Sequence, residues 1–189
     1  MIGGVALFVI SGVSAAGKST VARLLAERFE RGACVPGDTI RAMVVSGEAT
    51  MRPDLEPEAL RQLRLRYAGA LAVAGVYLSA GFDVVVEDVI IGPVLRDFLA
   101  LVPVPEFHLV FLDPDAAAIE QRHRDRDPDP DHAAYGPGRT WSVSELQTLL
   151  RQETERIGLW LDTTEQNADQ TLEAILSDLD ASLVRLPHS

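Results

Sequence analysis

Short apolar runs and helical stripes alternate along the whole chain. Residues 5–10 are an unbroken apolar run, VALFVI, of the length and composition of a buried strand. Directly after it, KSTVARLLAERFE (18–30) places Val21, Leu24, Leu25 and Phe29 at steps of three and four, which puts them on one helix face. Gly32 is a helix stop, and ACVP (33–36) predicts a second, short strand. Residues 46–58 read as a loop. Leu60, Leu63, Tyr67, Leu71, Ala74 and Leu78 then recur at helical spacing over 57–80, with Gly81 ending the pattern. FDVVVEDVII (82–91) is apolar on both faces, as a central parallel strand is. Gly92-Pro93 opens another helix, and EFHLVFLD (106–113) predicts a fourth strand, in which His108 reads as structural. Asp113-Pro114 caps a helix over 114–126. Ser142-x-x-Glu145 is a capping box for a helix over 142–157, LWLDT (159–163) is a fifth strand, and Asn167-x-x-Gln170 is a second box before a last helix ending near Leu179. The tail to residue 189 is expected to fray.

Five strands separated by helices predict one α/β domain over residues 1–189, a parallel sheet covered on both faces. Right-handed crossovers, with a glycine loop leaving the first strand, predict the strand order 2-3-1-4-5. A chain of 189 residues with 47% hydrophobic content can bury a full core. Its net charge of −11 argues against general binding to nucleic acid or to anionic membranes. Cys34 is the only cysteine, so no internal disulfide forms and a reducing compartment fits. No apolar run reaches the length of a membrane span, and the start of the chain lacks a basic leader, so a cytoplasmic protein is expected.

The chemistry begins where the first strand ends. GVSAAGKST (12–20) fits G-x-x-x-x-G-K-[ST] through Gly12, Gly17, Lys18 and Ser19, with Thr20 following. Gly12 lets the chain leave the strand sharply, and Gly17 lets the backbone approach a phosphate. The amides of Ser14, Ala15, Ala16, Gly17, Lys18 and Ser19 can then converge on an anion at the positive end of a helix. Lys18 suits the β- and γ-phosphates of a nucleotide, and the Ser19 hydroxyl suits magnesium. Accident produces the pattern in roughly one chain of this length in a hundred. Of 17 basic residues, 16 are Arg, and Lys18 is the sole lysine. The chain therefore uses a compact ammonium only at the position where a phosphate loop needs one.

Three further groups of residues stand where ligands bind in open α/β sheets, beyond the carboxyl ends of strands. Asp38 follows the second strand, where it reads both as the N-cap of a short helix, TIRAMVV, and as a functional carboxylate. Glu87-Asp88 follows the apolar strand residues Val84 to Val86, the position from which an acid reaches magnesium. Residues 122–141 hold Arg122, Arg124, Arg126 and Arg139 among Asp, Pro and Gly, and read either as a lid over a charged ligand or as a disordered excursion. Arg52, Arg61, Arg64 and Arg66 mostly read as a solvated helix face.

Together these features resemble the small-molecule kinases of the P-loop NTPase fold: the shikimate and gluconate kinases, the nucleoside monophosphate kinases and, most of all, the chloramphenicol phosphotransferases. The resemblance covers most of the chain. It implies ATP and Mg2+ on the GVSAAGKST loop, and Asp38 in PGDTIR as the base that takes the acceptor's proton. By the same resemblance Arg41 is a substrate-side arginine, and Asp88 in VVVED lies near the magnesium with Ser19. Arg122 and Arg126 resemble lid-helix arginines, the first packing on the adenine, and Arg139 in GPGRTW resembles one that closes on the transferred phosphate. LDTT resembles the loop beside the adenine. The activity implied is transfer of the γ-phosphoryl group to a hydroxyl of a small molecule, such as an antibiotic, a sugar or a sugar acid. The substrate loop, 42–60, leaves the acceptor open, and the oligomeric state is open as well. Two alternatives stand beside this reading: a 5'-hydroxyl kinase of nucleotides or polynucleotides, and a non-catalytic nucleotide-binding switch. The guanine-reading Asn-Lys-x-Asp motif of a GTPase is absent, because Lys18 is the sole lysine.

Overall fold

The computed structural model describes residues 5–52, 56–125 and 141–187. Strands β1 (Leu7–Gly12), β2 (Gly32–Pro36), β3 (Asp83–Glu87), β4 (Glu106–Leu112) and β5 (Leu159–Leu161) form a parallel sheet in the order β2-β3-β1-β4-β5, as the alternation predicts. β1 is central, with Val9 level with Val86 on one side and Leu109 on the other. Phe8, Val9, Ile10, Val84, Val85, Val86 and Leu109 to Leu112 are sealed from solvent, which is why these strands read as continuous apolar runs. Each such side chain contributes roughly 1.5–3 kcal/mol by leaving water.

The crossovers are α1 (Lys18–Glu27), α2 (Gly37–Arg41) with α3 (Pro57–Ser79), and α4 (Val94–Leu99). Beyond β4 come α5 (Ala116–Asp125) and α6 (Val143–Thr148), and beyond β5 come α7 (Ala168–Ser177) and α8 (Leu179–Ser182). Both capping boxes form, Ser142 with Glu145 and Asn167 with Gln170. Strand order reverses at β1, between β3 and β4, so the crevice at its carboxyl end is where a ligand fits. The phosphate loop lies there.

Three departures from the sequence pattern have physical causes. The expected strand over 82–91 stops at Glu87, because the chain is drawn out of the ladder: Ile90 exchanges both backbone hydrogen bonds with the Ser11 hydroxyl, at 3.0 and 2.9 Å, instead of with a strand. The expected regular helix over 142–157 changes to a π-helix at Leu149–Glu153. Thr154 closes it, its hydroxyl donating to the Leu149 carbonyl and accepting the Gly92 amide. The described part of the tail, to residue 187, is not frayed. β6 (Leu183–Arg185) pairs antiparallel with residues 106–108 of β4, the half of that edge which β5 leaves open. Arg185 meets Glu106 at 2.8 Å there, and His108 hydrogen-bonds the Ser182 hydroxyl while stacking on Phe8, a structural role as expected. Among the described residues no helix is long and apolar enough to cross a membrane.

Candidate active site

The loop between β1 and α1 holds the geometry its glycines require. Gly12 has φ 143°, and a Cβ there would stand 2.5 Å from the Leu112 carbonyl oxygen. Ala15, at φ 61°, is the one described non-glycine residue with positive φ, a strained conformation of the kind found where backbone amides are aimed at a ligand. Gly17 at φ 99° turns the chain into α1, whose first turn carries no acidic residue. The positive end of that ten-residue helix is left to an anion. Lys18 is buried and bends back over the loop, its Nζ donating to the Val13 carbonyl at 3.0 Å.

Across the crevice, β3 presents its two acids in different directions. Glu87 accepts a hydrogen bond from the Ser19 hydroxyl at 2.9 Å, across 68 positions of sequence. Asp88 turns away. Its Oδ1 accepts from Arg66 Nη2 at 2.6 Å and from the Val89 amide at 2.7 Å. Its other oxygen lies under Gly37, where any Cβ would overlap the carboxylate. The sequence reading placed Asp88 beside Ser19; the structure brings Glu87 to Ser19 and gives Asp88 to α3. Alternation along the strand end decides this, and Glu87, paired in register with Ile10, is the residue facing the phosphate loop. Burial pushes the Glu87 carboxyl above the ordinary carboxylate range, against the pull of Lys18 and of the Ser19 hydroxyl. Burial does the same at Asp88, against Arg66. Arg66, read from sequence as part of a solvated face, is largely buried, and its Nε and Asp88 Oδ2 have no hydrogen-bond partner among the described residues.

Asp38 does not cap its helix. α2 starts one residue earlier, at Gly37, with Pro36 as N-cap and no side-chain cap bond. The carboxylate is instead 79% exposed at the crevice, close enough to Glu87 and Asp88 to raise both. Arg41 lies 3.3 Å from it and 3.1 Å from Glu48. Gln62 of α3 pins the neighbouring loop, donating to the Gly47 carbonyl and accepting the Ala49 amide, both at 2.9 Å. Asp38, Arg41 and Glu48 thus form one chain of charged contacts beside that loop.

On the other side of the loop is a cavity of about 320 Å³, bounded by Ala16, Gly17, Thr20, Arg122 and the loop from Thr163 to Ala168. Arg122 reaches the carbonyls of Ala16, Thr163 and Gln166 at 3.3, 2.6 and 3.2 Å, linking the phosphate loop to the loop after β5. That is where the expected nucleobase site falls. Arg126 and Arg139, with most of the expected lid, lie outside the described residues.

A magnesium ion fits what is present. Ser19 and Glu87 offer one hydroxyl and one carboxylate beside the loop, and no cluster of three or more His, Cys, Asp or Glu stands among the described residues to hold a metal unaided. Such a partial set suits a cation that takes its remaining ligands from phosphates and water.

The sequence model of the AAA domain family (AAA_33) matches residues 7–147. No curated protein matches the chain. Among solved structures, an unliganded sugar kinase from Janibacter sp. HTCC2649 is 24% identical at a TM-score of 0.61, with 94% of this chain and 96% of that one covered. A gluconokinase from Sinorhizobium meliloti 1021 is 20% identical at 0.55, covering 93% and 91%. The tunicamycin resistance protein of Deinococcus radiodurans is 16% identical at 0.61, covering 96% and 99%. At these identities the likeness is one of fold.

Proposed function

The chain belongs to the AAA domain family and has the fold of small-molecule P-loop kinases, and on that premise we propose that it moves the γ-phosphoryl group of ATP to a hydroxyl of a small molecule. The observation that carries this is one crevice with a complete phosphate loop on one side and an uncapped, exposed carboxylate, Asp38, on the other.

In this reading the loop amides and Lys18 hold the triphosphate, with Ser19 and Glu87 on the side of the magnesium. The ion, when bound, neutralises charge on the β- and γ-phosphate oxygens. Asp38 accepts the proton of the acceptor hydroxyl as its oxygen bonds to the γ-phosphorus. The bond from that phosphorus to the bridging oxygen breaks, and ADP leaves. Arg41 orients the acceptor. Arg122 belongs to the nucleobase side, and Arg126 and Arg139 are assigned to the lid by resemblance. Lys18 and a lid arginine neutralise the charge spread over the moving group. The sugar kinase, gluconokinase and tunicamycin resistance protein that share the fold support sugars, sugar acids and antibiotics as the first acceptors to try.

The test is ADP release with MgATP over sugars, sugar acids, aminoglycosides, phenicols, nucleosides and 5'-hydroxyl oligonucleotides. Release stimulated by one small hydroxyl compound and absent in Lys18→Ala is the expected result. Stimulation by oligonucleotides alone replaces this reading with the 5'-hydroxyl kinase. Nucleotide binding with no stimulation by any acceptor favours the switch.

A further inference from the structure

The peptide between Ala16 and Gly17 sits in the middle of the phosphate loop, and the local sequence leaves its orientation open. Gly17 stands at φ 99°, and a Cβ there would meet nothing within 4 Å, so the glycine supplies backbone freedom and not room. A peptide plane next to a glycine turns at little steric cost, since glycine takes positive and negative φ alike. Ala15, at φ 61°, is already strained, and such strain lasts only where neighbouring contacts over-determine the backbone. Within the loop, the Ala16 amide donates to the Val13 carbonyl at 3.3 Å. That bond fixes the peptide plane before Ala16 and not the plane after it.

The plane after it is held from outside. Arg122 Nη1 donates to the Ala16 carbonyl at 3.3 Å, and its Nη2 donates to the carbonyls of Thr163 and Gln166 at 2.6 and 3.2 Å. Those two carbonyls belong to a loop with a framework of its own. The Gln166 amide returns to the Thr163 oxygen at 3.3 Å, and Asn167 opens α7 with its capping box. At the other end of the side chain, α5 is seated by the buried Ile119. A guanidinium is planar and rigid, so fixing one of its nitrogens fixes the direction of the other. In a planar trans peptide the carbonyl and the N–H point to opposite sides. The Ala16 carbonyl faces Arg122, so the Gly17 amide faces away from it. That amide is one of those that converge on an anion in a phosphate loop at the positive end of a helix.

Taking the nucleotide-binding reading as given, we propose that Arg122 is a positioning residue of the phosphate loop: it holds the Ala16 carbonyl so that the Gly17 amide is presented to the phosphates. An arginine that serves the base alone matters only to a ligand with a base. Arg122 matters to the phosphates as well. Calorimetric titration of the full chain in magnesium, with ATP and with inorganic tripolyphosphate, tests this in the parent, Arg122→Met and Arg122→Lys. Both variants should bind tripolyphosphate more weakly by about ten- to a hundredfold, the worth of one hydrogen bond to a charged group. Lysine keeps the charge, but its single ammonium lacks the fork that spans Ala16 and the loop after β5. ATP should weaken by at least the same factor. Thermal melting without ligand reports whether each variant is folded, and if Arg122→Met is not, Arg122→Lys decides alone. Unchanged tripolyphosphate affinity in the folded variants overturns the proposal and leaves Arg122 a base contact. Parental tripolyphosphate affinity in Arg122→Lys alone also overturns it, because the loop then needs the charge and not the geometry. So does a parent that binds ATP but not tripolyphosphate. A parent that binds neither removes the nucleotide reading itself, and this inference with it.

Discussion

The Ser19 hydroxyl donates to the carboxylate of Glu87 at 2.9 Å, joining the first turn of α1 to the last residue of β3. This one bond sorts the two adjacent acids. Glu87 faces the phosphate loop, and Asp88, engaged by Arg66, belongs to the scaffold that supports Gly37 and Asp38. Burial of the Glu87 carboxylate is costly, and the Ser19 hydroxyl and the Lys18 charge offset it only in part.

Glu87→Gln should therefore separate stability from function. The folded-state pKa of Glu87 is raised, so its protonated form favours folding. That contribution is present below the unfolded value of about 4.3 and is lost as pH rises through the folded value. At pH 7 without ligand, the Gln variant should be more stable than the parent by about 0.5–2 kcal/mol, and the gap should close on acidification. In magnesium it should bind ATP more weakly. Chemical denaturation across pH and calorimetry measure both effects; a Gln variant that is less stable at pH 7 would remove this account of Glu87.

Most of the fold was legible because the chain keeps local and global signals consistent. Both capping boxes form, the strand order follows from alternation and crossover handedness, and Gly12 and Gly17 have the conformations their motif demands. The failures share a cause. Whether Glu87 or Asp88 faces the loop depends on where β3 ends, and that is set by a hydroxyl 79 positions away, Ser11, which takes the bonds of Ile90. Arg66 looked solvated because helical spacing shows which residues share a face but not what another strand brings to that face. Of the two readings of Asp38, the cap fails because Gly37-Asp38 allows a helix to begin at either residue.

Breaking the Arg66–Asp88 pair on one side should be strongly destabilising. The side chains are 16% and 5% exposed, so Arg66→Met leaves a carboxylate buried beneath Gly37. A loss of about 3–5 kcal/mol is expected. The double variant Arg66→Met/Asp88→Asn should recover a large part of it, because no charge is then left unpaired. Urea denaturation of the two singles and the double decides; strict additivity would mean the pair is not coupled.

Lys18→Ala should keep the fold and lose the ligand. At a hundredfold excess over Kd, MgATP should stabilise the parent by about 2.7 kcal/mol, which for a chain of this size raises Tm by roughly 5–10 °C. The variant should melt near the parent without ligand and shift little with it. A full shift in the variant would show that the triphosphate is held elsewhere.

Asp38→Asn addresses the transfer step. The carboxylate caps nothing, and its ion pair with Arg41 is an exposed one of the kind that contributes little. The substitution should therefore leave stability within about 0.5 kcal/mol. ATP affinity should also be unchanged, because the proposed function gives Asp38 to the acceptor and not to the nucleotide. Asn has the shape of Asp but cannot take a proton at neutral pH. With the acceptor identified by the ADP-release screen, kcat should fall by roughly two to four orders of magnitude while KM for ATP stays constant. A fall in kcat together with lost stability would point to a scaffold role instead. Full activity in a stable variant would move the base to another carboxylate. Glu87 is then the nearer choice, since Asp88 is committed to Arg66 and sealed under Gly37.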